Sequence, residues 1–202
     1  MLVFSDRFVI GVTGQMGAGK STVSGFFKEW GSLVVDADLV AHELIEKPEF
    51  LFSIENQFDC KLINDPADVR RSKLSSIVFE NRDSLELYYK IIKNPLIKLL
   101  TIKLEQAKLI NKIVVFDAPL LFEWELDGLV DSTVSVGADR ELCIKRVMDR
   151  SFLSRSEIED RISLQFDSEI KNSRADFFIK NDDSIEGLRK RAQVVWDNLQ
   201  TV

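Results

Sequence analysis

Apolar residues along the chain follow two alternating rhythms. Phe8-Val-Ile-Gly-Val-Thr13 is a short, unbroken and largely β-branched run, whereas from Lys20 to Trp30 the apolar positions Val23, Phe26, Phe27 and Trp30 recur at helical spacing. The first pattern predicts a strand and the second a helix, with a glycine-rich turn between them. Leu33-Val-Val-Asp36 reads as a second strand and is followed by a helix to about Glu46. Ile113–Asp117, Thr133–Val136 and the weaker Phe177–Ile179 repeat the strand signal, each separated from the next by helical material. Continuous apolar strands need not alternate when both sheet faces are covered, so strand-helix alternation of this kind predicts a parallel sheet in an α/β fold.

Between Pro48 and Asn111 no segment reads as a strand. Charged, apolar-periodic stretches over Arg70–Phe79 and Ser84–Ile110 predict an inserted helical region, broken near Asn94-Pro95 because proline lacks the amide a helix interior uses. Asp139–Asp149 and Ser154–Lys171 predict two more helices joined by a short loop. Ile185, Leu188, Ala192, Val195 and Leu199 form the apolar stripe of a last one. The expected layout is a single domain with a core of about 1–47 and 112–202, a helical insertion of about 48–111 suited to holding an acceptor, and a helical lid of about 146–172. Repeats, low-complexity tracts and linkers are absent from the sequence.

A chain of 202 residues, 45% hydrophobic and 30% charged, is long enough for one well-buried core and too short for two large ones. Its formal charge of -6 provides no global positive field, which argues against a nucleic-acid partner. Cys60 and Cys143 lie far apart and match no disulfide framework or zinc spacing, so both are expected to be small core fillers. Asp6 and Arg7 interrupt the place where a secretory signal would need its apolar stretch, and no run approaches the ~20 apolar residues of a membrane span. A cytoplasmic chain without a membrane partner is expected, as a monomer or a small homo-oligomer.

The chemistry enters at the turn after the first strand. Gly14-Gln-Met-Gly-Ala-Gly19-Lys20-Ser21 satisfies the phosphate-loop pattern G-x-x-x-x-G-K-[ST] between a strand and a helix, the context the pattern requires. Its four fixed positions would arise by chance in roughly one chain in a hundred of this length, before the structural context is imposed. Gly14, Gly17, Ala18 and Gly19 let successive amides face a polyphosphate, and the helix dipole beginning near Lys20 adds to that field. Lys20 is expected to reach the β- and γ-phosphates of ATP, Ser21 to complete a Mg²⁺ shell, and Thr22 to bond a nearby phosphate oxygen. A merely tight turn would explain the glycines but not Lys20 followed by Ser21.

Neither N-K-x-D nor a D-x-x-G switch after a strand occurs, which excludes a GTPase of the usual kind, and the chain is short for a motor. A P-loop nucleotide kinase fold, three-layered with about five parallel strands, is the expected architecture. Asp36-Ala-Asp38 ends the second strand, at the sheet edge where ligands gather. Asp38 there would orient an acceptor hydroxyl and take its proton, although one of the pair would suffice to cap the following helix. Asp117, ending the third strand, is a candidate Mg²⁺-linked carboxylate, or again a helix cap. These residues leave the acceptor open between nucleosides and other small-molecule hydroxyls, and leave open a nucleotide-binding regulatory module without transfer activity.

Several segments taken together resemble dephospho-CoA kinase in order and spacing over nearly the whole chain. They are Val12-Thr-Gly-Gln-Met-Gly-Ala-Gly-Lys-Ser-Thr-Val23, Val35-Asp-Ala-Asp38, Arg71-Ser-Lys-Leu74 with Ile77-Val-Phe79, Asp117-Ala-Pro-Leu-Leu-Phe-Glu123, Arg146 with Arg150, Arg161-Ile-Ser-Leu-Gln165 and Ala175-Asp-Phe-Phe-Ile-Lys-Asn181. The resemblance implies Mg²⁺- and ATP-dependent phosphorylation of the ribose 3′-hydroxyl of dephospho-CoA. It implies Asp38 as base, with Asp36, Arg71, Pro119, Leu120, Glu123 and Arg161 on the acceptor side. Arg146 and Arg150 would belong to the lid, with Arg146 at the transferring phosphoryl group and Arg150 on the nucleotide, and Asn181 would lie in the adenine loop. The family usually has His-Pro where this chain has Asn94-Pro95, and Asn-x-Gly where it has Asn181-Asp-Asp183.

Overall fold

The computed structural model describes residues 7–151 and 153–200. Asp6, on which the reading of the amino terminus leans, and Phe152, inside the expected lid, lie outside the described residues. The chain divides into two compact units, one made of the segments up to Ala37 and from Lys103 onward, the other of Asp38–Ile102.

The larger unit holds five parallel strands in the order β2-β3-β1-β4-β5. They are β1 (Phe8–Thr13), β2 (Leu33–Asp36), β3 (Ile113–Asp117), β4 (Ser132–Gly137) and β5 (Phe177–Lys180). Ile10 and Val12 of β1, Val115, Val134, Val136 and Ile179 point to one face and are sealed by α1 (Lys20–Glu29) and α9 (Ile185–Leu199). Phe27 meets Trp196 there at 5.1 Å between ring centroids. Burying one such aliphatic or phenyl side chain is worth about 1.5–3 kcal/mol, and this cluster draws on β1, β3, β4 and β5. On the opposite face Gly11 abuts Leu121 and Val130, and the Ser135 hydroxyl donates at 2.7 Å to Asn172 Oδ1 on α8 (Ser168–Arg174). Helical or looped material on both faces is what turns a continuous apolar strand into the rule here. β1 is central, with β3 and β4 on either side, so the loop leaving it emerges in the middle of the carboxyl edge.

The smaller unit is helical. It runs through α2 (Ala37–Ile45), α3 (Pro48–Phe58), α4 (Ala67–Val78) and most of α5 (Arg82–Ile110). Pro48 occupies the first turn of α3, where its missing amide is not needed. The expected break at Asn94-Pro95 does not occur: α5 passes through Pro95 without interruption. Ile92, Leu96, Leu100 and Leu104, all nearly fully buried, anchor the helix on both sides of the proline, and that packing outweighs one missing hydrogen bond.

The segment Ser154–Lys171 is two helices where one was expected. After α6 (Arg140–Arg150) come α7 (Arg155–Ser163), opened by a Ser154/Glu157 capping box, and α8, separated by Leu164–Asp167. In the gap the Phe166 amide and carbonyl bond to distant side chains in place of helical partners, and the Gln165 side chain reaches a distant amide. Cys143 is buried, as expected of a core filler, whereas Cys60 is only half-buried. No helix among the described residues is long and apolar enough to cross a membrane.

Candidate active site

The segment from Gly14 to Gly19 joins β1 to α1. Gly17 and Gly19 have φ of 85° and 98°, a region side chains disfavour. A β-carbon on Gly17 would overlap the Cys143 carbonyl of α6, and one on Gly19 would overlap the Asn181 amide. Glycine at these two positions is therefore set by close neighbours as well as by backbone conformation. Asp139, Ser154 and Ser184 cap α6, α7 and α9 with their side chains; no side chain caps α1, α3, α4 or α8, and of these four α1 is the one whose first turn carries no acidic residue. That leaves a helix start suited to an anion, with the Ser21 and Thr22 side chains exposed beside it.

The Lys20 ammonium pairs with the Asp117 carboxylate at the end of β3, with Lys20 11% and Asp117 2% exposed. Sheet register sets Asp117 beside Val12 on one side and beside Asp36 on the other. The carboxyl edge of the sheet thus brings together a buried aspartate, the phosphate-loop lysine and the half-buried Asp36. The two partners of a buried ion pair offset each other's desolvation only as a pair, so loss of either would leave a buried charge without its partner.

Asn181 fastens the loop from the side. Its Nδ2 donates to Ala18 O at 2.7 Å and its own amide donates to Gly137 O at 2.7 Å, with the side chain buried. Arg146 Nη2 reaches Asn181 Oδ1 at 3.4 Å, while Arg146 Nη1 is buried without a hydrogen-bond partner. A buried guanidinium N–H without an acceptor is costly, and an anionic oxygen would satisfy it. Arg150, one turn on, is exposed. Replacing Asn181 with alanine would leave the Ala18 carbonyl without its donor and slacken the loop, and is expected to weaken ATP binding about tenfold, as read by titration calorimetry.

Asp183 stands where glycine is usual in the resembling family, yet it does not adopt positive φ. Asp59 and Glu125 are the non-glycine residues that do so among those described. Asp183 instead grips Arg191, whose Nε donates at 2.7 Å to Lys180 O, so an ion pair holds the loop after β5. His42, the chain's sole histidine, is an exposed residue of α2.

The remaining candidates fall into two groups. Pro119 and Leu120 are half-buried just beyond β3, and Glu123 turns inward, its Oε1 accepting at 2.8 Å from the Phe166 amide and 2.7 Å from Lys171 Nζ. Arg161 is half-buried on α7, and burial pulls its guanidinium below the usual arginine range. In the smaller unit, Asp38 is exposed in the first turn of α2, and Arg71 is exposed on α4 with its Nε donating at 3.1 Å to Ala67 O.

Three residues of the site are not singled out by the sequence. Gln15 Nε2 donates to Phe166 O at 3.2 Å, Gln165 Oε1 accepts from the Met16 amide at 2.9 Å, and Lys171 is fully buried under Thr13. Gln165 lies at the end of the Arg161–Gln165 segment and was within reach of sequence reasoning; Lys171 carries no spacing signal at all. Met16 also packs against Ile144, Val147, Ile158 and Ile162, which seats α6 and α7 on the loop through apolar contact.

Comparison with known proteins places the chain in a family. The profile of the family described as dephospho-CoA kinase matches residues 8–187. A dephospho-CoA kinase of Fusobacterium nucleatum is 35% identical over 185 residues, 92% of this chain and 95% of its own. A dephospho-CoA kinase structure from Campylobacter jejuni aligns with a TM-score of 0.67 at 27% identity, covering 96% of this chain and 97% of that one. A Thermus thermophilus crystal structure aligns with a TM-score of 0.78 at 31% identity, covering 96% and 99%. With residues 8–187 matched by the family's profile and a dephospho-CoA kinase 35% identical over 92% of its length, this chain belongs to the dephospho-CoA kinase family.

Proposed function

We propose that the chain transfers the γ-phosphoryl group of ATP to the ribose 3′-hydroxyl of dephospho-CoA, giving coenzyme A and ADP. The observation that carries the reading is the uncapped, glycine-built loop with Lys20 at its mouth on Asp117, in a chain similar over 92% of its length to a dephospho-CoA kinase. The acceptor oxygen forms a bond to the γ-phosphorus as the bridging bond to the β-phosphate breaks; the hydroxyl proton goes to Asp38 and the departing electron pair to ADP. Gly14, Gly17, Ala18, Gly19, Ser21 and Thr22 hold the phosphates through amides and hydroxyls. Lys20 leaves Asp117 to neutralise the charge that develops on the γ-oxygens. Arg146 offers its unsatisfied Nη1 to the same group, and Arg150 and Asn181 support the nucleotide. Asp36, Arg71, Pro119, Leu120, Glu123 and Arg161 serve the acceptor side.

Ser21 and Asp117 would hold Mg²⁺. A hard cation takes oxygen ligands and keeps several waters and phosphate oxygens, so an exposed hydroxyl and one strand-end carboxylate suit it, and the cation would supply further charge neutralisation on the phosphates. Adding EDTA in excess of Mg²⁺ is expected to lower turnover by about a hundredfold or more, read as CoA formed per minute, and restored Mg²⁺ should recover it. The reading includes a cytoplasmic setting, a monomer or small homo-oligomer, and no nucleic-acid or membrane partner, in keeping with a formal charge of -6.

Mass-spectrometric detection of CoA after incubation with dephospho-CoA, ATP and Mg²⁺ tests the reaction, run beside a panel of nucleosides and other hydroxyl acceptors. Phosphorylation of a nucleoside with none of dephospho-CoA would overturn the acceptor. Tight ATP binding with no product from any acceptor would overturn the reaction itself.

A further inference from the structure

Lys171 sits on α8 with no exposed surface. Its Nζ donates to Pro119 O at 2.6 Å, lies 2.7 and 3.0 Å from the two Glu123 oxygens, and reaches Thr13 Oγ1 at 3.5 Å. Thr13 Oγ1 donates in turn to Pro119 O at 3.3 Å. Glu123 accepts from the Phe166 amide, the Phe166 carbonyl accepts from Gln15, and the Gln165 side chain accepts from the Met16 amide. These bonds close a ring. It runs from the end of β1 through the first residues of the phosphate loop to the break between α7 and α8, on to Glu123 and Lys171, and back to Pro119 and Thr13.

A fully buried lysine is rare, because removing an ammonium from water costs several kcal/mol unless good partners replace the solvent. Here burial pushes Lys171 below the usual lysine range, Glu123 opposes that shift, and Lys20 and Arg174 add to it. Apolar packing at this buried position would have served the fold without that penalty, as buried pairs are often no more stabilising than apolar residues of the same volume. What an apolar side chain lacks is direction. The lysine has three donors, and they fix the Pro119 carbonyl, the Glu123 carboxylate and the Thr13 hydroxyl in one arrangement.

We infer that Lys171 is a positioning residue for phosphoryl transfer: with Glu123 it holds the Gln15-Met16 limb of the phosphate loop and the Pro119–Glu123 segment in fixed register. The inference rests on the reaction proposed above. Lys171 does not touch the reacting atoms; it acts through the loop and the segment that do. A misplacement of the order of 1 Å at a reacting centre lowers a rate by about a hundredfold, so a residue in this position has large leverage on kcat and little on nucleotide affinity, which the other loop amides supply.

The test compares wild type, Lys171→Met, Glu123→Gln and the double variant Lys171→Met/Glu123→Gln. The double variant leaves no buried charge uncompensated and keeps an acceptor oxygen for the Phe166 amide, so it is the form expected to fold if the single lysine variant does not. Thermal melts establish folding, and CoA formation gives kcat and KM for ATP. The expected result is a folded double variant whose kcat falls at least about tenfold below that of Glu123→Gln, with KM for ATP changed less than about threefold. A folded double variant with kcat within twofold of Glu123→Gln would overturn the inference, as would a loss confined to KM. Failure of both lysine variants to fold would also overturn it, assigning the pair to the fold alone. Wild type that makes no CoA would remove the proposed reaction and this inference with it, a result distinct from active wild type with an unaffected variant.

Discussion

Lys20→Met is expected to lower kcat by about 10²- to 10³-fold, the range seen when one preorganised donor to developing charge is removed. Methionine keeps the length and flexibility of the side chain and deletes only the ammonium. The same change acts on stability, because Asp117 is 2% exposed and Lys20 is its ion-pair partner. Breaking a buried pair by removing one member costs about 3–5 kcal/mol, so the melting temperature should drop in the absence of nucleotide. The two effects separate in Lys20→Met/Asp117→Asn: removing the second charge should return most of the stability, and none of the turnover. Lys20→Arg is expected to stay impaired, since a planar fork on a longer reach does not replace a compact ammonium at a crowded loop. Single-turnover measurement of CoA formation checks the rate, and a value for Lys20→Met within threefold of wild type would take the lysine out of the chemistry.

The sheet was legible in the sequence because its strands are buried on both faces. Five short apolar runs separated by helical periodicity lead directly to β1 through β5, all parallel. The phosphate loop was legible for a different reason: its chemistry fixes residue types at fixed separations, and Gly17 and Gly19 carry constraints from Cys143 and Asn181 that no other residue type meets. Tertiary partners decided what periodicity could not. Leu164–Asp167 reads as part of a helix on its own and is opened by bonds to Glu123, Gln15 and Met16, which lie 43 to 151 positions away. Pro95 reads as a break and is overruled by buried residues on both sides of it. Lys171 shows most plainly where sequence reasoning ends. A lysine among charged residues looks like solvated surface, and only the fold reveals that its ammonium lies between a carbonyl, a hydroxyl and a carboxylate.

Asp38→Asn is expected to lower kcat by roughly 10²- to 10⁴-fold while leaving ATP affinity nearly unchanged, the signature of a lost proton acceptor rather than a lost binding contact. Asp38 suits this test because it is exposed in the first turn of α2, where asparagine fits the same space and retains an oxygen able to accept a hydrogen bond. An acidic residue in a first helical turn is worth only about 0.3–1 kcal/mol through the helix dipole, so the variant should melt within a few degrees of wild type. A purely structural aspartate would give the same small shift in melting but an intact rate. Asp36 provides the internal comparison: it ends β2 half-buried, level with Asp117 in the sheet, and Asp36→Asn should therefore disturb the acceptor side and raise KM for dephospho-CoA more than it lowers kcat. If instead Asp36→Asn abolishes turnover and Asp38→Asn retains it, the base is the strand-end carboxylate and the helix carboxylate is its neighbour. Measuring kcat and both KM values for the pair distinguishes the two assignments, because only the residue that takes the proton in the transition state lowers kcat and kcat/KM together.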